Sequence, residues 1–478
     1  MTIVEMLARN ARMYPHDVAL VLVVPSQNLR QPVTWQEFDQ GASRVANFLL
    51  SRGIRKGDTV LQLMNNSIDW LVAYFGILRT GAWVTPLNFR FNSSDLQFCA
   101  GIAEPKAFIL GDEFVERVKE ASPELKTIRD YIFFGQNPAP GMVDLRKEME
   151  EQSPQAPDVE LRDEEPCGLY FTSGTTGTPK PILLMHRNLE CAAINSAVHR
   201  RDTHQDSMLA MGPLYHASTI MHWMGNLIVG GRGILLVDKK VLPQHIIETI
   251  HKERVTEIAL YTPWLLDLLL ALDRGEVKKE NYDLSCLRIM HMGAQPIPIS
   301  LVERWQKYFP NVIFNENYGL TETAGPGCVC TVGTIGMKKK PGAIGKPGFN
   351  WEARIVNEQD EDVPLGEIGE VVVRGNGVMK EFYKNPEETA KILKNGWLHT
   401  GDLGRKDEEG YIFLVDRKKD VIISGGENIY PQDVEPVLVS HEKVFDAALI
   451  GIPDDRMGEI AVAIIEPKPG VTLTEEEM

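Results

Sequence analysis

The sequence predicts an α/β protein. A large N-terminal domain of two doubly wound α/β subdomains carries a small β-barrel-like region, and a small α+β C-terminal domain follows. Three observations predict this. Up to Gly319, short apolar runs bounded by Gly, Pro or Asp alternate with longer stretches of helical period. From Gly342 the segments turn short and alternating, as in an antiparallel sheet. After the charged break Asp416-Arg417-Lys418-Lys419-Asp420, a fresh set of strands and one helix begins. A chain of 478 residues also exceeds one ordinary core.

In chain order, residues 3–14 put Ile3, Met6, Leu7 and Ala11 on one side of a helix. Thr34 with Glu37 three residues on is a capping box, opening a helix that runs to Leu50. A strand over Thr59–Met64, a helix capped by Ser67 and ending near Arg79, and a strand within Gly81–Leu87 follow. Ser94–Ala103 and Glu113–Ala121 read as helices around a strand at Ala107–Gly111. Residues 136–166, rich in Pro, Glu and Asp, read as a surface connection. Gly168–Phe171 ends a buried strand, and Asn188–Val198 is helical.

The second unit has strands at Met208–Met211, Gly233–Val237, Glu257–Tyr261, Leu287–Met290 and Val312–Phe314. Its helices cover 244–253, 263–272 and a stretch after Pro298. In the β region, Glu352–Val356 and Gly369–Arg374 are strands. Gly401–Arg405 pairs with Tyr411–Val415 across the turn Asp407–Gly410. Domain boundaries follow: residues 1–416 large, 417–420 a hinge, 421–478 small. The small domain has strands at Val421–Ser424, Val444–Gly451 and Ile460–Glu466 and a helix over Pro431–Val439.

Composition narrows the function. With 43% hydrophobic and 24% charged residues the chain reads as soluble and globular. A net charge of −16 argues against binding nucleic acid or an anionic membrane non-specifically. A polyanionic ligand then needs a local site. The six cysteines have no framework spacing and read as reduced thiols. The N-terminus carries Glu5 where a leader would be apolar, and no apolar run approaches a membrane span, so a cytoplasmic location is expected.

The most informative stretch is Tyr170-Phe171-Thr172-Ser173-Gly174-Thr175-Thr176-Gly177-Thr178-Pro179-Lys180. Glycines let the backbone approach an anion, successive N–H groups can form a nest, and Lys180 adds a mobile charge. It is not the common nucleotide P-loop, which needs Gly-Lys-Ser/Thr after four intervening residues. Alone, it is either a phosphate loop or a solvated Ser/Thr/Gly turn.

Four further motifs follow in order: Tyr318-Gly319-Leu320-Thr321-Glu322-Thr323, Trp397-Leu398-His399-Thr400-Gly401-Asp402, Asp416-Arg417-Lys418-Lys419-Asp420 and Ser424-Gly425-Gly426-Glu427-Asn428. Together they resemble the AMP-forming adenylating enzymes: acyl-CoA synthetases, adenylation domains and luciferases. The resemblance runs from about Thr34 to the end of the chain. It implies ATP-dependent conversion of a carboxylic acid to an acyl-adenylate, with transfer of the acyl group to coenzyme A, and Mg²⁺ as cofactor. An apolar pocket with Trp223, Met224 and several His would accept an aromatic, alicyclic or medium-chain acid. Within this resemblance an adenylation domain serving a carrier protein, or a non-catalytic acyl-adenylate or nucleotide binder, stays open, as does a homodimer.

The same resemblance assigns roles. Thr172, Ser173, Gly174, Thr175, Thr176, Gly177 and Lys180 would hold the β- and γ-phosphates. Thr321 would reach the α-phosphate and Glu322 would ligate Mg²⁺. Asp402 and Arg417 would hold the ribose. Gly293, Ala294 and Gln295, with Asn317, Tyr318 and Gly319, would flank adenine. His216 would close the acyl pocket. Tyr215 shares the motif Pro213-Leu214-Tyr215-His216 and, with His222, Trp223, Asn226, His291 and Ala324 by position alone, is a candidate wall of that pocket. Lys419 stands at the hinge, and Gly425 and Gly426 would line the pantetheine tunnel. Two departures stand out. Pro181 follows Lys180 where relatives carry Gly. Relatives also continue beyond a strand like 464–468, to a lysine that bridges carboxylate and α-phosphate. Lys468 lacks that motif, so the small domain is expected to be incomplete.

Overall fold

The computed structural model describes every residue except 173–178, 294–296, 298, 331–339, 341, 426, 455, 475, 476 and 478. The smaller of its two large sheets has eight strands. Pro166–Thr172, Trp83–Pro86, Thr59–Leu63, Ala107–Leu110, Asp130–Phe133 and Val143–Asp144 run parallel, while Lys180–Met185 and Glu381–Phe382 add antiparallel on one edge. Burial on both faces explains why Val60, Leu61, Phe108 and Ile109 all read as apolar.

The larger sheet has fourteen strands. Val18–Val24, Arg232–Leu236, Ser207–Ala210, Glu257–Ala259, Ile289–Gly293 and Ile313–Leu320 are its parallel centre. The antiparallel strands Gly325–Cys330 and Ala343–Pro347 lead from it into the β region. There Trp351–Val356, Gly369–Gly375, Trp397–Lys406 and Ile412–Arg417 pair in turn. This antiparallel extension is the expected β-barrel-like region.

Helices join the sheets. Trp35–Ser51 starts at the expected capping box: Glu37 N donates to Thr34 Oγ1 at 3.2 Å, and Thr34 N donates to Glu37 Oε2 at 2.8 Å. Its Phe38, with Phe75 of the helix Ile68–Arg79, packs on Trp223 of the helix Ala217–Ile228. That contact puts one apolar core between the two units. A small four-stranded sheet, carrying the helix Pro431–Val439, completes the fold.

Several elements differ from expectation. Residues 136–166 hold a short strand, Val143–Asp144, and a helix, Leu145–Glu150, whose N-cap Asp144 accepts from Arg146 N and Lys147 N. Lys180 is the first residue of an unexpected strand, Lys180–Met185, antiparallel to Pro166–Thr172. Pro181 sits in that strand opposite Phe171, and its carbonyl accepts from Tyr383 N at 2.8 Å.

Candidate active site

The carboxyl ends of the central strands open on one cavity of about 570 Å³. Ala259, Gly293 and Leu320 end three neighbouring strands there, and Thr172 brings the smaller sheet to the same space. This is the end at which open α/β sheets bind ligands. Close packing requires glycine at 293, where a Cβ would lie 2.3 Å from Asn317 O.

One part of the wall is charged. Thr172 and Lys180 face each other as a cross-strand pair. Lys180 Nζ lies 3.4 Å from Glu388 Oε2 and 5.2 Å from the centre of the Phe382 ring. Glu322 sits in a single 3₁₀ turn, Thr321–Thr323. Met379 N donates to Glu322 O at 2.8 Å and Leu320 N donates to Thr323 Oγ1 at 2.8 Å, which fixes the turn through its ends. Burial pushes the Glu322 carboxyl up, while Lys180 and Arg417 pull it back.

Asp402 and Arg417 are partners across two antiparallel strands, with Arg417 Nε 3.4 Å from Asp402 Oδ1. Tyr318 Oη donates to Asp402 Oδ2 at 2.5 Å. Burial raises the Asp402 carboxyl, and the Tyr318 hydrogen bond opposes it. Lys418 and Lys419 complete this side. The turn that carries them is closed by Lys418 N donating to Gly401 O at 2.9 Å and Asp420 N donating to Arg417 O at 2.9 Å.

The other part is uncharged. Ala217 and Ser218 bring the start of the helix Ala217–Ile228 to the wall, and His222 follows one turn on. Tyr261 Oη is hydrogen-bonded to Ser218 Oγ at 2.6 Å and Thr219 Oγ1 at 2.9 Å. The His222 and His291 rings lie 5.0 Å apart. His291 Nδ1 accepts from Asn315 Nδ2 at 2.9 Å, which leaves the ring proton on Nε2, 3.6 Å from Glu257 Oε2. Burial holds both imidazoles neutral, well below the usual histidine range. Beneath them Arg200 and Arg288 share the carboxylates of Asp202 and Glu257.

The residues now have a common setting, and comparison with known proteins says what it is. The model of the AMP-binding enzyme family matches residues 7–383, and that of the AMP-binding enzyme C-terminal domain matches 433–478. The chain belongs to the AMP-binding enzymes. It is an AMP-forming carboxylate–CoA ligase in type. A feruloyl-CoA synthase of Amycolatopsis is 33% identical over 472 residues, 98% of this chain and 89% of that protein. A 2-succinylbenzoate–CoA ligase of Bacillus cereus strain AH820 is 33% identical over 453 residues, 94% and 86% of the two chains. The o-succinylbenzoate CoA synthetase of Bacillus subtilis, solved with its acyl-adenylate intermediate, superposes with a TM-score of 0.83 at 26% identity, covering 99% of this chain and 92% of that one.

In this AMP-binding enzyme the cavity gathers Thr172, Lys180, His216, His222, Gly293, His291, Asn317, Gly319, Thr321, Glu322, Asp402, Arg417 and Lys419. Tyr318 lines a smaller adjoining cavity of about 90 Å³. Ser173, Gly174, Thr175, Thr176, Gly177, Ala294, Gln295 and Gly426 lie outside the described residues.

Four expected positions are off the wall. Trp223 points into the inter-sheet core, a hundred degrees round the helix from His222. Asn226 is buried where a Cβ on Gly231 would touch its amide. Ala324 is turned into the core at φ 57°. Tyr215 packs edge-on against Phe89, with centroids 5.3 Å apart. Gly425, expected in the pantetheine tunnel, takes φ 61°, and its N–H donates to Met457 O at 2.8 Å beside the small sheet.

Sequence reasoning also missed Ser218, Tyr261, Met292, Phe382 and His399 as wall residues. Tyr261 carried a usable signal, since it follows directly on a strand of the parallel rhythm.

The smaller cavity contains Glu316, whose carboxyl burial pushes up to about 8. The folded protein therefore keeps a proton that the unfolded chain releases in the ordinary carboxylate range. The stability this contributes is full below that range and is lost as pH rises to about 8. Glu316→Gln should match the wild type in urea midpoint at pH 5 and exceed it at pH 8.5. A difference independent of pH would remove this assignment.

Proposed function

We propose that the acid activated here is aromatic, and that the cavity holds it at the uncharged wall with ATP along the charged one. The observation carrying this reading is the continuity of the two walls within one cavity. The rings of Tyr261, His222 and His291 offer flat contacts, and Met292 an adaptable one. The start of the helix Ala217–Ile228, at Ala217 and Ser218, lies on the same wall, and a helix N-terminus favours a carboxylate there.

In the first step a carboxylate oxygen of the acid attacks the α-phosphorus and pyrophosphate leaves. In the second the thiol of coenzyme A attacks the acyl carbon and AMP leaves. The protein forms no bond in either step; it positions and stabilises charge. Asp402 is suited to accept from ribose hydroxyls, with Arg417 beside the same sugar. Lys180 and Thr172 stand at the base of the loop proposed to hold the leaving phosphates, and Thr321 beside the α-phosphate. His216, exposed at the start of its helix, would cover the acyl carboxylate.

No group of three His, Cys, Asp or Glu among the described residues is placed to hold a metal. The lone Glu322 nevertheless fits Mg²⁺, which takes one or two carboxylates together with substrate phosphates and water. Bound there, the ion would neutralise phosphate charge as pyrophosphate leaves. Residues 417–420 would act as the hinge about which residues 421–478 move, because a few turn residues suffice to absorb such a change.

The test is a panel of acids. ATP–pyrophosphate exchange, and thioester formation from supplied acyl-AMP and coenzyme A, are measured for aromatic, alicyclic and medium-chain members. Aromatic acids should lead in at least the thioester assay. Equal or better turnover of straight-chain acids would overturn the aromatic reading.

A further inference from the structure

We infer that His222 reads the ring substituent of the acid, selecting a neutral hydrogen-bonding group such as a phenol over a second carboxylate. This rests on the aromatic-acid reading of the same cavity.

The polar groups of the uncharged wall are unequally engaged. Tyr261 Oη is held between two hydroxyls. His291 accepts from Asn315 through Nδ1, and its Nε2 is turned to the buried Glu257 at 3.6 Å, without a hydrogen-bond partner among the described residues. His222 lines the cavity at 8% exposure, and its ring nitrogens make no hydrogen bond to a described residue. A buried polar side chain without a partner costs free energy that a bound group can recover. His216 also has free ring nitrogens but is exposed, so it is not under the same demand.

Charge decides which substituent fits. The His222 ring packs against His291, and its own carbonyl accepts from Arg200 Nη2 at 2.9 Å, so a proton on the ring would sit beside a guanidinium. Neutral imidazole has one donor and one acceptor, and a hydroxyl complements both. A second carboxylate would need a cation. Among the described lining residues, the cations Lys180, Arg417, Lys418 and Lys419 all belong to the charged wall, and Arg200 is buried beneath Asp202 and Glu257. The two curated relatives act, by name, on feruloyl and on 2-succinylbenzoate, a phenol and a dicarboxylate. The uncharged wall matches the first kind.

The experiment uses non-hydrolysable acyl-adenosine sulfamates and titration calorimetry on the full chain, so it needs no turnover. The probes carry cinnamoyl, 4-hydroxycinnamoyl and 2-succinylbenzoyl groups. The hydroxylated probe should bind about tenfold tighter than cinnamoyl, and the dicarboxylate weakest of the three. His222→Leu should abolish that preference, whatever its effect on cinnamoyl itself, and His222→Gln should restore part of it. Equal affinities in the wild type, a preference kept by His222→Leu, or tightest binding of the dicarboxylate would each overturn the proposal. Binding of all three probes without discrimination leaves the ligase reading standing. Binding of none, nor of AMP, removes both.

Discussion

Replacing Glu322 by glutamine should slow pyrophosphate release by about a hundredfold or more, the range found when one stabilising group of a reaction centre is removed. The side chain keeps its volume and loses only its charge. The turn Thr321–Thr323 is held by Met379 N on the Glu322 carbonyl and by Thr323 Oγ1, so the substitution leaves its framing bonds intact. Glu322 is also the carboxylate against which Lys180 and Arg417 act, and these should remain in place to bind nucleotide. The expected pattern is therefore a fall in the adenylation rate, a higher Mg²⁺ requirement, and AMP affinity close to wild type. Thioester formation from supplied acyl-AMP should change little, because pyrophosphate has already left. Unchanged Mg²⁺ dependence in single-turnover assays would take Glu322 out of the metal role.

Much of this arrangement was legible because it is local in sequence. Thr34 and Glu37 act three residues apart, and the strand–helix alternation leaves a period in each unit. The motifs around Glu322 and Asp402 each lie within a single turn or strand pair, so their residues arrive together at the wall. Elements that escaped prediction lack such marks. The strand Val18–Val24 is one apolar run whose parallel partner, Arg232–Leu236, lies some two hundred residues away. The helix Ala217–Ile228 is buried almost all round, which erases the amphipathic stripe by which helices are recognised. Lys180–Met185 hid behind Pro181, a residue that argues against a strand between two neighbours. Trp223 and His222 are adjacent in sequence and point to different places, and only the helix rotation separates core from cavity.

The least legible feature is the charge cluster beneath the acyl wall, and it carries the largest expected effect on stability. Arg200 ends the helix His186–Arg200 with its side chain almost wholly covered. Its Nη2 lies 2.5 Å from Asp202 Oδ2 and donates to His222 O at 2.9 Å, while Nε lies 3.2 Å from Glu257 Oε2. Arg200→Met would leave two covered carboxylates with only Arg288, whose Nη2 reaches Glu257 at 2.6 Å and Asp202 at 3.5 Å. Removing one member of a buried ion pair typically costs about 3–5 kcal/mol. The loss should depend on pH. Even beside Arg200, burial pushes the Asp202 carboxyl up to about 7. Its stabilising proton is fully present below the ordinary aspartate range and lost as pH rises through about 7. Without the guanidinium that carboxyl should hold its proton still higher. The deficit in urea unfolding should accordingly be largest above pH 7 and shrink at pH 5, where the variant's carboxylates protonate. Arg200→Met combined with Asp202→Asn should recover part of it. The two effects separate by position: the single variant should also loosen the hydroxyl preference set at His222, since the helix turn carrying that ring loses its bond. A deficit under about 1 kcal/mol, or one flat with pH, would show that Arg288 suffices to neutralise the cluster.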